Sequence, residues 1–508
     1  MWVGRSVHSR QNGEDTLNRR LLRLLTVGAV LVATGGGAVA ANAEPAAPPL
    51  RLAAATGSVT LDRYPGEGVW LELPTHIVAG ATPFEVRAKR ASYADPIVVK
   101  QVTASGTKRL PAGLVERFTG FSGFTHLRMV DSTGAVVVER DETWCPSGES
   151  VRTRPDAPDT SPYPRSCSGN PFTLGGVWGI QAGWSVPAST PWYDSEPVDL
   201  AEGTYTATVT VNPRYSKLFG IPADQSSATV QVTVRDIDFD RPRRVAPDEA
   251  GEHAAHAAGG TGSPFTPAAV RPAGAGKVPA GPKPDLRSLP AWGIEIGAYD
   301  GEEGHDYLSF NATVWVAGQS SLVVDGFRRT GEDIMDAYQY FYDADGNQTG
   351  YAQVGTMEWD PRDGHNHWHF TDFAQYRLLD ADQQVAVRSG KEAFCLANTD
   401  AVDYTLARAN WRPDNTELHT SCGRENSIAV RQVLDVGNGD TYAQYLPGQS
   451  FDITDLPNGT YYVEVAANPE AKLHESNRTN NASLRKIILG GEPGARTVEV
   501  PPHDGVAG

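Results

Sequence analysis

"GTYTATVTV", Gly203 to Val211, alternates small polar residues with Tyr205, Ala207, Val209 and Val211. Successive side chains of a strand point to opposite faces, so a period of two buries one row and leaves a threonine row outside. The same pattern returns 256 residues later. "DLAEGTYTATVTVNP" from Asp199 is matched by "DLPNGTYYVEVAANP" from Asp455, and seven residues separate tyrosine from asparagine in both, Tyr205 to Asn212 and Tyr461 to Asn468. "FAQYRLLDADQQVAVR", Phe373 to Arg388, reads as strand, turn, strand. Turn residues are frequent and no long helical period stands out, so the expected fold is all-β, with sandwich-like domains.

The repeat extends beyond that strand. "VAGATPFEVRAKR" from Val78 meets "VAGQSSLVVDGFRR" from Val316, and "GFTHLRMVDSTGAVVVERDETWC" meets "DFAQYRLLDADQQVAVRSGKEAFC". The offset drifts from 238 at Gly80 and Gly318, through 250 at Cys145 and Cys395, to 256 at Gly203 and Gly459. Drift of this kind is expected of a duplicated β domain with loop insertions. A chain of 508 residues also exceeds what one core serves, since cores stop growing near ~250–300 residues. The expected domains are 54–238 and 285–490, with 239–284 a disordered Ala/Gly/Pro-rich linker and 491–508 a flexible tail.

With 44 Lys and Arg against 61 Asp and Glu, the formal charge is −17, which argues against a nucleic-acid partner. Residues 1–43 carry Arg19-Arg20, an apolar run from Leu21 and small residues up to Ala43. That order predicts an export signal cleaved after Ala43, with "NRRLLR" resembling a twin-arginine signal. The mature protein is then expected outside the cell and off the membrane, where disulfides persist. Four cysteines allow three connectivities, and local pairing of Cys145 with Cys167 and of Cys395 with Cys422 is the simplest.

"DGHNHWHFTDF", Asp363 to Phe373, places His365, His367 and His369 at alternate positions. On a strand three imidazoles would converge from one face, leaving coordination positions open as a catalytic metal requires. Imidazole suits copper and zinc alike. Glu116, Phe118 and Gly120 stand opposite the triple in the first half, which therefore has no such site.

The order "HNHWH", "FAQYRLLD", "GKEAFCL", "FDITDLPNGTY" and "ESNRTNN" resembles the catalytic domain of the lysyl oxidase family of copper amine oxidases, over about Pro284 to Leu489. The resemblance implies copper on His365, His367 and His369. It implies a lysine tyrosylquinone cofactor from Lys391, four residues before Cys395, and Tyr442, ten residues before Asp452. The positions opposite these in the first half are Asp141 and Val186, so that half is read as a degenerate, non-catalytic copy. It further implies a Cys395–Cys422 disulfide, with Cys145–Cys167 its counterpart, and a calcium site from Asp285, Leu286, Glu475, Asn477, Asn480 and Asn481. The activity implied is oxidative deamination of primary amines, including peptide and protein lysine side chains, by O2, with release of aldehyde, hydrogen peroxide and ammonia. "EWDPRDGH" before the triple is longer than the family's usual stretch, and other cysteines of animal relatives are missing. The alternatives are a secreted copper- or zinc-binding protein, or a cell-surface adhesion module, without turnover.

Overall fold

A computed structural model describes residues 49–189, 195–237, 270–298, 301–362, 365–388, 393–413 and 421–506. The fold is all-β, and the α-helix Pro213–Phe219 and the 3-10 turn Ala223–Gln225 are short interruptions between strands. The expected export signal, residues 1–43, lies outside the described residues. No described helix is long and apolar enough to cross a membrane.

Gly203–Val211 is a strand with Tyr205, Ala207, Val209 and Val211 buried and the threonines turned outward. It sits inside a five-stranded sheet in the order Ser58–Arg63, Ser227–Asp236, Gly203–Val211, Phe121–Val130, Val136–Trp144. Two further sheets complete the first half. One runs Leu50–Ala54, Thr75–Ala79, Trp184–Pro187, Val151–Arg152, and the other Gly175–Ile180, Phe84–Lys89, Val98–Thr103, Gly106–Arg109. Ile77, Val86 and Leu127, one from each sheet, share a single apolar core.

The second half repeats these orders. Val385–Arg388, Ala374–Leu379, Gly459–Ala467 and Ala482–Glu492 form one sheet, edged by Ala495–Glu499. Leu286–Ser288, Tyr307–Val316, Asn438–Tyr442 and Asp400–Ala401 form another. Ala429–Leu434, Leu322–Arg328, Ile334–Tyr342 and Gln348–Asp360 form the third, with His367–Phe370 paired to the last strand. Tyr205 and Tyr461 even use the same device, each hydroxyl donating at 2.8 Å to a carbonyl four residues back. One difference in edge pairing is that Ser58–Arg63 joins its sheet parallel whereas Ala495–Glu499 joins antiparallel.

Unlike Gly203–Val211, the strand Tyr307–Val316 is buried along nearly its whole length. One side faces the core of its own half, and Trp315 on the other packs with Leu289 and Val402 against Tyr93, Phe172 and Leu174 of the first half. Backbone bonds seal this contact: Leu174 N–H donates to the Val402 carbonyl at 2.8 Å and Tyr404 N–H to that of Gly175 at 2.9 Å.

Three expected boundaries shift. The first half opens with Leu50–Ala54, ahead of residue 54. Of the linker, 270–284 is described and ordered: Gly276–Lys277 pairs with Tyr351 and Ala352, because the edge of Gln348–Asp360 offers unmet backbone groups. The tail is no loose end either. Ala495–Glu499 completes a hairpin, and beyond it His503 packs on Tyr93 and Phe172 while Gly505 accepts from Tyr93 N–H at 2.8 Å.

Candidate metal centre

The hairpin of Gln348–Asp360 with His367–Phe370 brings Asp360 opposite His367 and Glu358 opposite His369. Only two histidines of the triple lie on that strand. His365 precedes it, and Asn366 takes a left-handed φ of 48°, a conformation asparagine tolerates, which turns His365 back toward the others. The expectation that one strand presents all three is thus corrected: strand and turn together do so. The ligating nitrogens of His365, His367 and His369 lie within 4.8 Å of one another, and the residues are 4%, 3% and 1% exposed. Small imidazole rotations bring such a set onto one ion at about 2.0–2.1 Å per nitrogen. The donor set therefore fits a copper or zinc ion.

Trp368, on the opposite face, anchors the strand. Its backbone N–H donates to the Cys422 carbonyl at 3.0 Å and its indole to that of Arg424 at 2.9 Å. Cys422 is bonded to Cys395, as Cys145 is to Cys167, so both expected disulfides are present. Phe370 and Phe394 exchange backbone bonds at 2.6 and 3.0 Å, fixing the chain just before Cys395 against the histidine strand. Gln432, fully buried, ties the two together by donating to the Trp368 carbonyl and accepting from Leu396 N–H.

Tyr442 ends the strand Asn438–Tyr442 and is 5% exposed. Its ring lies 4.2 Å from that of Phe394 and 6.4 Å from that of His369, and its hydroxyl oxygen accepts from Cys395 N–H at 2.9 Å. Burial, then the neighbouring Asp440 carboxylate, push this phenol well above its ordinary pKa. A histidine triple and a buried tyrosine thus share one wall. Residues 343–495 match the lysyl oxidase family. The human protein-lysine 6-oxidase is 36% identical over 125 residues, covering 24% of this chain and 26% of that protein. The pig protein-lysine 6-oxidase is 35% identical, over 24% of this chain and 44% of its own length. Zebrafish lysyl oxidase homolog 3A is 29% identical over 26% of this chain and 16% of its own. The match therefore spans about a quarter of the human relative.

Within this lysyl oxidase-like segment, Lys391 lies outside the described residues, three positions before Phe394. The residues expected to hold calcium divide. Glu475 accepts from Leu286 N–H at 3.1 Å and from the amides of Asn468 and Asn481 at 2.6 and 2.8 Å, while Asn480 approaches Asp285 at 3.2 Å. The buried Oδ1 atoms of Asn480 and Asn481 have no hydrogen-bond partner. Asn477 stands apart: it is exposed and accepts from Thr479 in its own turn.

Sequence reading missed Asp360, Gln432 and Phe394. Gln432 is an ordinary residue in the sequence, and Phe394, although part of the quoted "GKEAFCL", carried no role there; only long-range pairing brings the two to the site. For Asp360 a signal existed, an acidic residue close before the triple.

Proposed function

We propose that this chain is a copper-dependent amine oxidase acting on primary amines, lysine side chains among them. The observation that carries the reading is the buried histidine triple beside Tyr442, within a segment that matches the lysyl oxidase family. His365, His367 and His369 would hold the copper. Lys391 would join Tyr442 in the quinone: three residues reach about 11 Å at full extension, and Phe394 packs directly on the Tyr442 ring. Copper and quinone would together supply the redox chemistry, in which amine, O2 and water give aldehyde, hydrogen peroxide and ammonia. The protein's own part is to keep the phenol neutral, out of water and oriented by Cys395 N–H.

A calcium ion near Asp285, Leu286 and Glu475 belongs to the same proposal, supported by the two unsatisfied amide oxygens of Asn480 and Asn481 and with Asn477 in the weakest position. So does export to an extracellular setting, in keeping with the paired cysteines. The matching strand orders support an origin of the two halves by duplication, with the first half non-catalytic.

Copper-loaded protein should show a Lys391–Tyr442 cross-link by peptide mass analysis and release peroxide from primary amines but not from dimethylated lysine. Stoichiometric copper with neither cross-link nor peroxide would leave a metal-binding protein and sink the enzyme reading.

A further inference from the structure

We propose that Asp360 is the positioning residue of the metal centre, orienting the His365 and His369 rings through their Nδ1 atoms. The inference rests on reading the triple as a metal site.

Asp360 is 7% exposed, and its Oδ2 lies 3.3 Å from Nδ1 of both His365 and His369. One carboxylate oxygen thus spans the two outer members of the triple. Metal-bound imidazoles commonly give their second ring nitrogen to a carboxylate, which fixes tautomer and ring orientation and raises ligand basicity.

Asp360 is held in turn. Arg362 donates to its Oδ1 from the backbone N–H at 3.1 Å and from Nε at 2.9 Å, and to Oδ2 from Nη2 at 2.6 Å. A carboxylate has about four lone-pair sites. Arg362 and the two histidines engage both oxygens, which leaves no vacant direction for the metal itself and makes Asp360 a support for ligands rather than a fourth ligand.

The hairpin explains why this residue serves. Asp360 pairs with His367, and the turn beyond it returns the chain so that His365 and His369 flank the carboxylate. Asp360 thus links the member of the triple that precedes the strand to one that lies on it.

The test compares copper affinity by competition titration, and the copper EPR spectrum, in the full-length protein and its Asp360→Asn, Arg362→Ala and His367→Ala variants, with folding checked by circular dichroism. Asp360→Asn is expected to weaken copper about 10–100-fold while keeping stoichiometry and a three-nitrogen hyperfine pattern with shifted parameters. Arg362→Ala, which frees the carboxylate without removing it, should weaken copper in the same direction but less. Unchanged affinity and spectrum in a folded Asp360→Asn protein would overturn the proposal while leaving the metal centre standing. So would loss of copper as complete as in His367→Ala, which would make Asp360 a ligand. If the unaltered protein takes up no copper, the metal-centre reading fails and this inference falls with it.

Discussion

Tyr442 and Cys395 are joined by a hydrogen bond from backbone N–H to phenolic oxygen, 2.9 Å long and wholly buried. Cys395 is also half of the disulfide to Cys422, whose carbonyl holds the histidine strand at Trp368. One covalent bridge therefore fixes both the tyrosine and the strand that carries His367 and His369.

Replacing Cys395 and Cys422 by alanine should cost about 3–4 kcal/mol, the loop-closure entropy of a separation of 27 residues. Copper affinity and quinone absorbance should fall by more than in a Cys145→Ala, Cys167→Ala protein of equal thermal stability. Denaturant titration and copper-loaded absorbance spectra check both halves of the expectation.

His367→Ala removes the member of the triple that sits on the strand opposite Asp360. Loss of stoichiometric copper is expected, with the melting temperature of the metal-free protein lowered by only a few degrees. Elemental analysis showing full occupancy would contradict the assignment.

Tyr442→Phe keeps the packing against Phe394 and removes only the hydroxyl. Copper should bind as before, and the quinone band and peroxide release should be absent. Stability should drop by about 1–3 kcal/mol, because Cys395 N–H is left buried without its acceptor.

Alkaline pH offers a further test. Tyr163, Tyr340, Tyr376, Tyr404 and Tyr442 are all raised above the ordinary phenol value, chiefly by burial. A folded state that binds these protons more tightly than the unfolded chain loses stability as pH rises past about 10, the unfolded value. Tyrosinate absorbance should therefore develop together with loss of near-ultraviolet circular dichroism. Full ionisation of these phenols in a protein that stays folded would refute the expectation.

A chain starting at Lys283 would keep His365, His367, His369, Lys391 and Tyr442 but bare the faces of Leu289, Trp315 and Val402. Each newly exposed apolar side chain costs about 1.5–3 kcal/mol of burial. The short protein should still bind copper, melt well below the full chain, and recover stability when the first half is added in trans. Equal melting temperatures would show that the contact between halves contributes little.

Strand identity was legible where one face meets the core and the other meets water, as in Gly203–Val211, because burial and period then coincide. Tyr307–Val316, covered on both sides, carries no such alternation. At the site, residue types and spacing located the three histidines and the tyrosine, but not how His365 joins the others, which depends on a left-handed Asn366 and on Asp360 across a hairpin. The stretches around Gly276 and His503 looked disordered by composition, since their partners, Tyr351 and Tyr93, lie far away in sequence.

The bond from Tyr93 to Gly505 has a consequence for the order of events during synthesis. Tyr93 leaves the ribosome more than four hundred residues before its partner is made. The first half can assemble its own three sheets early, but Tyr93 N–H meets its acceptor only once Gly505 has been made. A chain lacking Gly505 would keep His365, His367, His369, Tyr442 and all four cysteines and still lose the acceptor of Tyr93 N–H.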